Sequence, residues 1–224
     1  MKRGGWSREY GSAVTLQIRP VTIRVVWGNR HRKRSGAGVS TGIVVIDIQK
    51  DYFPGGAYPL SGSESAAVVA RGVLDSARAT GTTVIHFQHI ATEADATFFV
   101  PGTTGVEIYP LVAPVTPERH FTKGSANAFV DTGLERLLRA ENIDHLVVMG
   151  MMSSMCIDAT SRAALDLGFA VTIVHNACAA PAFEFQGTEV PGASVHAAFM
   201  AALRDAGADV LAAADLDLES LPVR

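Results

Sequence analysis

The sequence is poor in the features that would assign it to several large classes of protein. Its 224 residues include two cysteines, Cys156 and Cys178, too few for a disulfide framework. They fit a reducing, cytoplasmic setting, where a thiol is either a packing residue or a reagent. No uninterrupted apolar run approaches the ~18 residues of a membrane span. Charged residues make up 18% and the formal net charge is −3, which gives no general attraction to nucleic acid or to a membrane surface. No Gly-x-Gly-x-x-Gly follows a predicted strand, and Gly102-Thr103-Thr104-Gly105 lacks the spacing and the lysine of a phosphate loop. A nucleotide cofactor is therefore disfavoured. What remains is an apolar content of 48%, enough for one good core and one domain.

Acidic residues are almost missing from positions 1–40, where Glu9 alone faces Lys2, Arg3, Arg8, Arg19, Arg24, Arg30, Arg32, Lys33 and Arg34. The rest of the chain is correspondingly acidic, so two compositions are joined. Arg19, Pro20 and Arg24 interrupt the apolar residues of this opening segment, which denies it the core of a secretory signal. It reads as a basic extension outside the fold, with a basic tail for anionic partners as the other reading. Alternation over Val14–Val26 allows a strand, and Arg30–Gly38 reads as a linker. The boundary falls between residues 1–40 and a domain over 41–224.

From Gly42 onward, short β-branched runs alternate with helix-period segments. Strands are predicted at Gly42–Ile48, Thr83–Gln88, His145–Met149, Ala170–His175 and Ala208–Leu211, and helices at Ser63–Ala79, Thr132–Ala140, Cys156–Leu167 and Ala193–Asp205. This pattern gives an α/β fold, a three-layer α/β/α sandwich around a doubly wound, mainly parallel sheet of about six strands. Its site is expected at the carboxyl ends of the strands. Ile90–Lys123 reads as a long loop, and loops of that length are commonly functional.

Three residues at expected strand ends could carry chemistry. Asp47 puts a carboxylate near the end of an apolar strand, a costly place unless the charge is paired or used. Cys156 follows a strand and opens a helix, where unpaired amides favour the thiolate and would lower the thiol pKa. The same amides suit an oxyanion. Lys123, between Phe121 and small residues, could point inward and favour anionic neighbours. Each has a plainer alternative: a structural carboxylate, a buried thiol, a surface lysine. His86 and His89, three apart on a strand, face opposite ways and should not share a metal.

Taken together, Val44-Val45-Ile46-Asp47-Ile48-Gln49, Thr97–Thr103, Phe121-Thr122-Lys123 with Ser125 and Phe129, and Gly150–Thr160 around Cys156 resemble the isochorismatase-like superfamily of cysteine hydrolases, nicotinamidases and streptothricin hydrolase among them. The resemblance runs from about Gly42 to Leu211. It implies a catalytic triad of Asp47, Lys123 and Cys156 that cleaves a small-molecule amide or related C–N bond through a thioester. It also implies an oxyanion hole in the turn of Met152, Ser153 and Cys156, with a cis peptide mapped to Met152–Ser153. Phe53, Gln88, His89, Phe99, Phe121 and Ser125 are the expected substrate-binding residues. Where nicotinamidases carry an Asp-x-His metal motif this chain reads His89-Ile90-Ala91, so neither metal nor other cofactor is expected. A homo-oligomer, a dimer or larger, is the family's implication. Isochorismatase-type vinyl ether hydrolysis and non-catalytic binding of a small molecule are the competing readings.

Overall fold

The computed structural model describes residues 40–218; the basic segment before them, with the strand expected at Val14–Val26, lies outside the described residues. The strands of the described part are β1 (Ser40–Ile46), β2 (Thr83–His89), β3 (Arg119–Lys123), β4 (Ile143–Met151), β5 (Ala170–Ala179), β6 (Phe183–Phe185), β7 (Thr188–Val190) and β8 (Asp209–Leu211). Six of them form one sheet in the order β3-β2-β1-β4-β5-β8, all of its pairings parallel. The other two, β6 and β7, make a small antiparallel hairpin apart from the sheet. Helices α1 (Ser63–Thr80), α2 (Leu134–Ala140), α3 (Asp158–Asp166) and α4 (Gly192–Asp205) cover the sheet. None of the described helices is long and apolar enough to cross a membrane.

The strand sequences explain the layering. Every residue of β1 is buried, as expected of a strand covered on both faces. Its side chains alternate: Ile43 and Val45 join Ala66, Ala70 and Leu74 of α1 in one apolar cluster. Val44 and Ile46 join Leu134 and Leu138 of α2, Ala164 of α3 and Leu203 of α4 in the other. Each fully buried Ile or Leu contributes roughly 1.5–3 kcal/mol, and Ile43→Ala would cost about 2–5 kcal/mol through the cavity it leaves.

The predicted sandwich is what the chain forms, with instructive differences at the edges. β1 ends at Ile46, not Ile48: Asp47 turns into the left-handed region at φ 50° while its N–H still reaches the Phe87 carbonyl at 3.1 Å. The expected loop Ile90–Lys123 contains edge strand β3 and a segment that pairs back on the short turn Lys50–Tyr52 after β1 through Lys50 N–H to Glu107 O and Asp51 N–H to Gly105 O, both 2.9 Å. Asp51 ties this loop to its neighbour, its buried carboxylate accepting from Phe99 N–H at 2.6 Å and Ala57 N–H at 3.0 Å. A Cβ at Gly105 would lie 1.9 Å from that carboxylate, so glycine is required there.

In this strand order the winding reverses between β1 and β4, which opens a crevice at their carboxyl ends. At the crevice Gly150 of β4 passes so close to β1 that a Cβ would lie 2.0 Å from the Ile46 carbonyl oxygen.

Candidate active site

Four side chains from four adjacent strand ends meet in this crevice. Asp47 follows β1, His89 ends β2, Lys123 ends β3, and Cys156 lies in the turn after β4. Parallel register sets His89 directly opposite Lys123. Lys123 Nζ is the hub, 2.7 Å from Asp47 Oδ2, 2.9 Å from the Ser125 carbonyl oxygen, 3.1 Å from His89 Nδ1 and 3.3 Å from Cys156 Sγ. Asp47, Lys123 and Cys156 are all buried. Asp47 meets Lys123 through Oδ2, and Oδ1 has no hydrogen-bond partner among the described residues, so the Lys123 charge offsets that of the carboxylate while a lone pair stays free to take a proton.

Burial alone would push the Lys123 ammonium down; the Asp47 charge, with the Cys156 sulfur, overrides it and raises its pKa. For Cys156, burial and then the Asp47 charge push the thiol up against the pull of Lys123. The downward shift expected from the helix start is therefore overturned. An anionic carboxylate beside a buried sulfur opposes a second negative charge. The resting group is a thiol beside a base rather than a free thiolate. Cys178 is raised to about 12 by burial, and its sulfur turns to the Val174 carbonyl.

The turn that carries Cys156 starts earlier than predicted. A π-type turn over Ser153–Ile157 runs into α3, with Met155 and Ile157 N–H both donating to the Met152 carbonyl. Ser153 thus already belongs to the helix, and the cis bond joins Met151 to Met152 rather than Met152 to Ser153. The Ser153 hydroxyl turns out of the crevice and lies 2.8 Å from His196 Nδ1 on α4.

The expected substrate-binding residues divide. His89, Phe99 and Ser125 join the cluster: the Phe99 ring centroid is 5.7 Å from that of His89, and Ser125 contributes its carbonyl. Gln88 instead donates to the Val106 carbonyl at 2.8 Å, Phe53 stacks on Tyr109, and Phe121 stacks on Phe87. Two contributors were not foreseen. Tyr52 is fully buried, and its phenol is held protonated by burial and by the charges of Cys156 and Asp47. Gln49 fixes the backbone of His89. Gln49 closes the Val44–Gln49 motif and Tyr52 follows it three residues on.

Asp47, His89 and Cys156 also offer an oxygen, a nitrogen and a sulfur within 4.8 Å of one another, a donor set suited to a divalent metal. Lys123 Nζ touches all three, so its ammonium supplies the positive charge at that position.

Known proteins resemble this chain in sequence and fold. A model of the isochorismatase domain matches residues 41–215. The chain is 44% identical over 172 residues to the uncharacterized isochorismatase family protein YddQ of Bacillus subtilis, covering 77% of this chain and 96% of that one. It is 37% identical over 138 residues to a streptothricin hydrolase of Streptomyces noursei, covering 60% of this chain and 48% of that protein. The solved structure of an isochorismatase from Pseudomonas putida KT2440 aligns at a TM-score of 0.75 and 30% identity, covering 82% of this chain and 95% of that one. A parallel sheet of this order and a domain match across almost all the described residues lead to one conclusion: the chain belongs to the isochorismatase family of hydrolases.

Proposed function

We propose that this hydrolase cleaves a small-molecule amide or related C–N bond through a thioester on Cys156. The observation that carries the reading is the buried Asp47 carboxylate, its Oδ1 without a hydrogen-bond partner among the described residues, on the same lysine that contacts the Cys156 sulfur. Asp47 takes the thiol proton as the sulfur attacks the carbonyl carbon, and Lys123 stabilises the charge that develops on sulfur. The tetrahedral oxyanion is held by the amides of Cys156 and of Ser153 or its neighbour Met152, at the start of the helix. Asp47 returns the proton to the leaving nitrogen as the C–N bond breaks. Water then attacks the thioester, gives a proton to Asp47, and releases the acid and the thiol.

Relatives named streptothricin hydrolase, nicotinamidase and ureidoacrylate amidohydrolase support C–N cleavage. The reading includes a cytoplasmic homo-oligomer that uses no cofactor. Cys156→Ala tests it on a panel of small amides and lactams. Turnover by the wild type and none by the folded variant is expected. Turnover that survives loss of the thiol would sink the mechanism and favour ether hydrolysis, and ligand binding without product would favour a non-catalytic binder.

A further inference from the structure

Lys123 has more acceptors than hydrogens. An ammonium carries three N–H bonds, whereas four acceptors surround Nζ: Asp47 Oδ2, the Ser125 carbonyl, His89 Nδ1 and Cys156 Sγ. Nζ is in hydrogen-bond contact with Ser125, His89 and Cys156 and in ion-pair contact with Asp47. The count closes while one proton stays on Asp47 or Cys156, because whichever of the two lacks it, the Ser125 carbonyl and the imidazole are then three acceptors for three hydrogens.

Resting on the cysteine-hydrolase reading above, we propose that His89 is a positioning residue: by accepting the third Lys123 hydrogen it keeps one proton shared between Asp47 and Cys156. If that proton leaves, carboxylate and thiolate both require Lys123 hydrogens while Ser125 and His89 still hold theirs. One charge-assisted hydrogen bond is then lost, so the pair holds its proton to higher pH. Without the His89 acceptor the count becomes three for three, and the proton leaves more readily. The two groups titrate as a pair, and the shift belongs to the pair.

The role requires a neutral imidazole with its proton on Nε2, since Nδ1 must present a lone pair to the ammonium. The surroundings favour the neutral form: burial first, then the Lys123 charge, depress the His89 pKa, against Asp47 and the exposed Glu93. The backbone of His89 is fixed by Gln49, and its ring lies beside that of Phe99.

Two variants of similar size separate this role from a merely steric one. His89→Asn keeps an acceptor near the place of Nδ1, and His89→Leu removes it. The readout is the rate of Cys156 alkylation by iodoacetamide at a fixed pH below the thiol pKa, mapped by peptide with Cys178 as internal control. There each unit of lowered pKa raises the thiolate fraction tenfold and lowers its nucleophilicity by about threefold, a net gain of about threefold, so His89→Leu should react about 3- to 10-fold faster than wild type and His89→Asn within about twofold. Equal rates in the two variants, or a slower His89→Leu, would overturn the proposal. So would nitrogen NMR of the wild type showing His89 protonated on Nδ1. Failure of the hydrolase reading shows separately, as a Cys156 rate indifferent to Lys123→Met.

Discussion

The Gln49 side chain clasps the backbone of His89 from both sides, accepting from its N–H at 2.7 Å and donating to its carbonyl at 2.9 Å. A further bond from the same amide reaches the Val106 carbonyl at 2.7 Å. Gln49→Leu would take the Gln49 bonds from two backbone groups of His89, each costing roughly 1–3 kcal/mol, while the Val106 carbonyl keeps its bond from Gln88. A loss of about 2 kcal/mol or more is expected, read as a lower urea midpoint at unchanged slope.

In the proposed mechanism Asp47 acts on the thiol in two opposite ways, as the base that accepts its proton and as the charge that resists its ionisation. Asp47→Asn should therefore separate reactivity from turnover. Hydrolysis should fall by about a thousandfold or more with the base gone, while Cys156 alkylation at neutral pH becomes faster because Lys123 is then the only charge beside the sulfur. A variant slower in both would show that the carboxylate does not face the thiol as a base.

Two glycines differ in what a methyl group would meet. Gly150→Ala drives a Cβ against the Ile46 carbonyl at a φ of 131°, and should cost about 3 kcal/mol or more or prevent folding. At Gly72, exposed within α1, a Cβ would meet nothing within 4 Å, and Gly72→Ala should stabilise by about 0.5–1 kcal/mol. Thermal melts of both variants test the contrast.

Away from the site, buried His86 pairs with Glu118 at 2.9 Å, and Arg78 bonds the same carboxylate at 2.7 Å. Burial foremost depresses the His86 pKa against the pull of Glu118. Burial would raise Glu118, but its bonds from Arg78, Val115 and His86 outweigh that and lower it. Both folded values lie below the unfolded ones of 6.5 and 4.5. Their stabilisation is therefore full above those values and lost as the pH falls through the folded ones. Urea unfolding should show stability declining as the medium is acidified below 6.5, with the lower limb flattened in Glu118→Gln; stability that holds or rises on acidification would contradict the assignment.

The sheet was legible because its central strands carry apolar runs, Ile43–Ile46 and Leu146–Met149, and its helices keep a clear stripe. β3 was not, since in Arg119-His120-Phe121-Thr122-Lys123 only Phe121 is apolar, the composition of an exposed edge. Asp47, Lys123 and Cys156 stood out as polar residues at strand ends in a recognisable order. The direction of the thiol shift was misread because the helix start is visible in sequence, whereas the proximity of Asp47 exists only after folding. Gln49 and Tyr52 were passed over for a related reason: a buried amide and a buried phenol declare themselves through what they touch.

The lysine at the centre of the site is carried on one of the two margins of the sheet. β3 pairs with β2 alone, and Lys123 is its only buried residue, so beyond the polar contacts of that lysine and the Phe121 ring on Phe87 little resists the peeling of this strand. Local opening of such a margin requires less free energy than global unfolding. When it opens, Lys123 leaves Asp47 and Cys156 while both apolar clusters stay packed, so the chemistry fails ahead of the fold. Catalysis should fade at a milder denaturant concentration than the helical signal, with the edge strand acting as the fuse of the molecule.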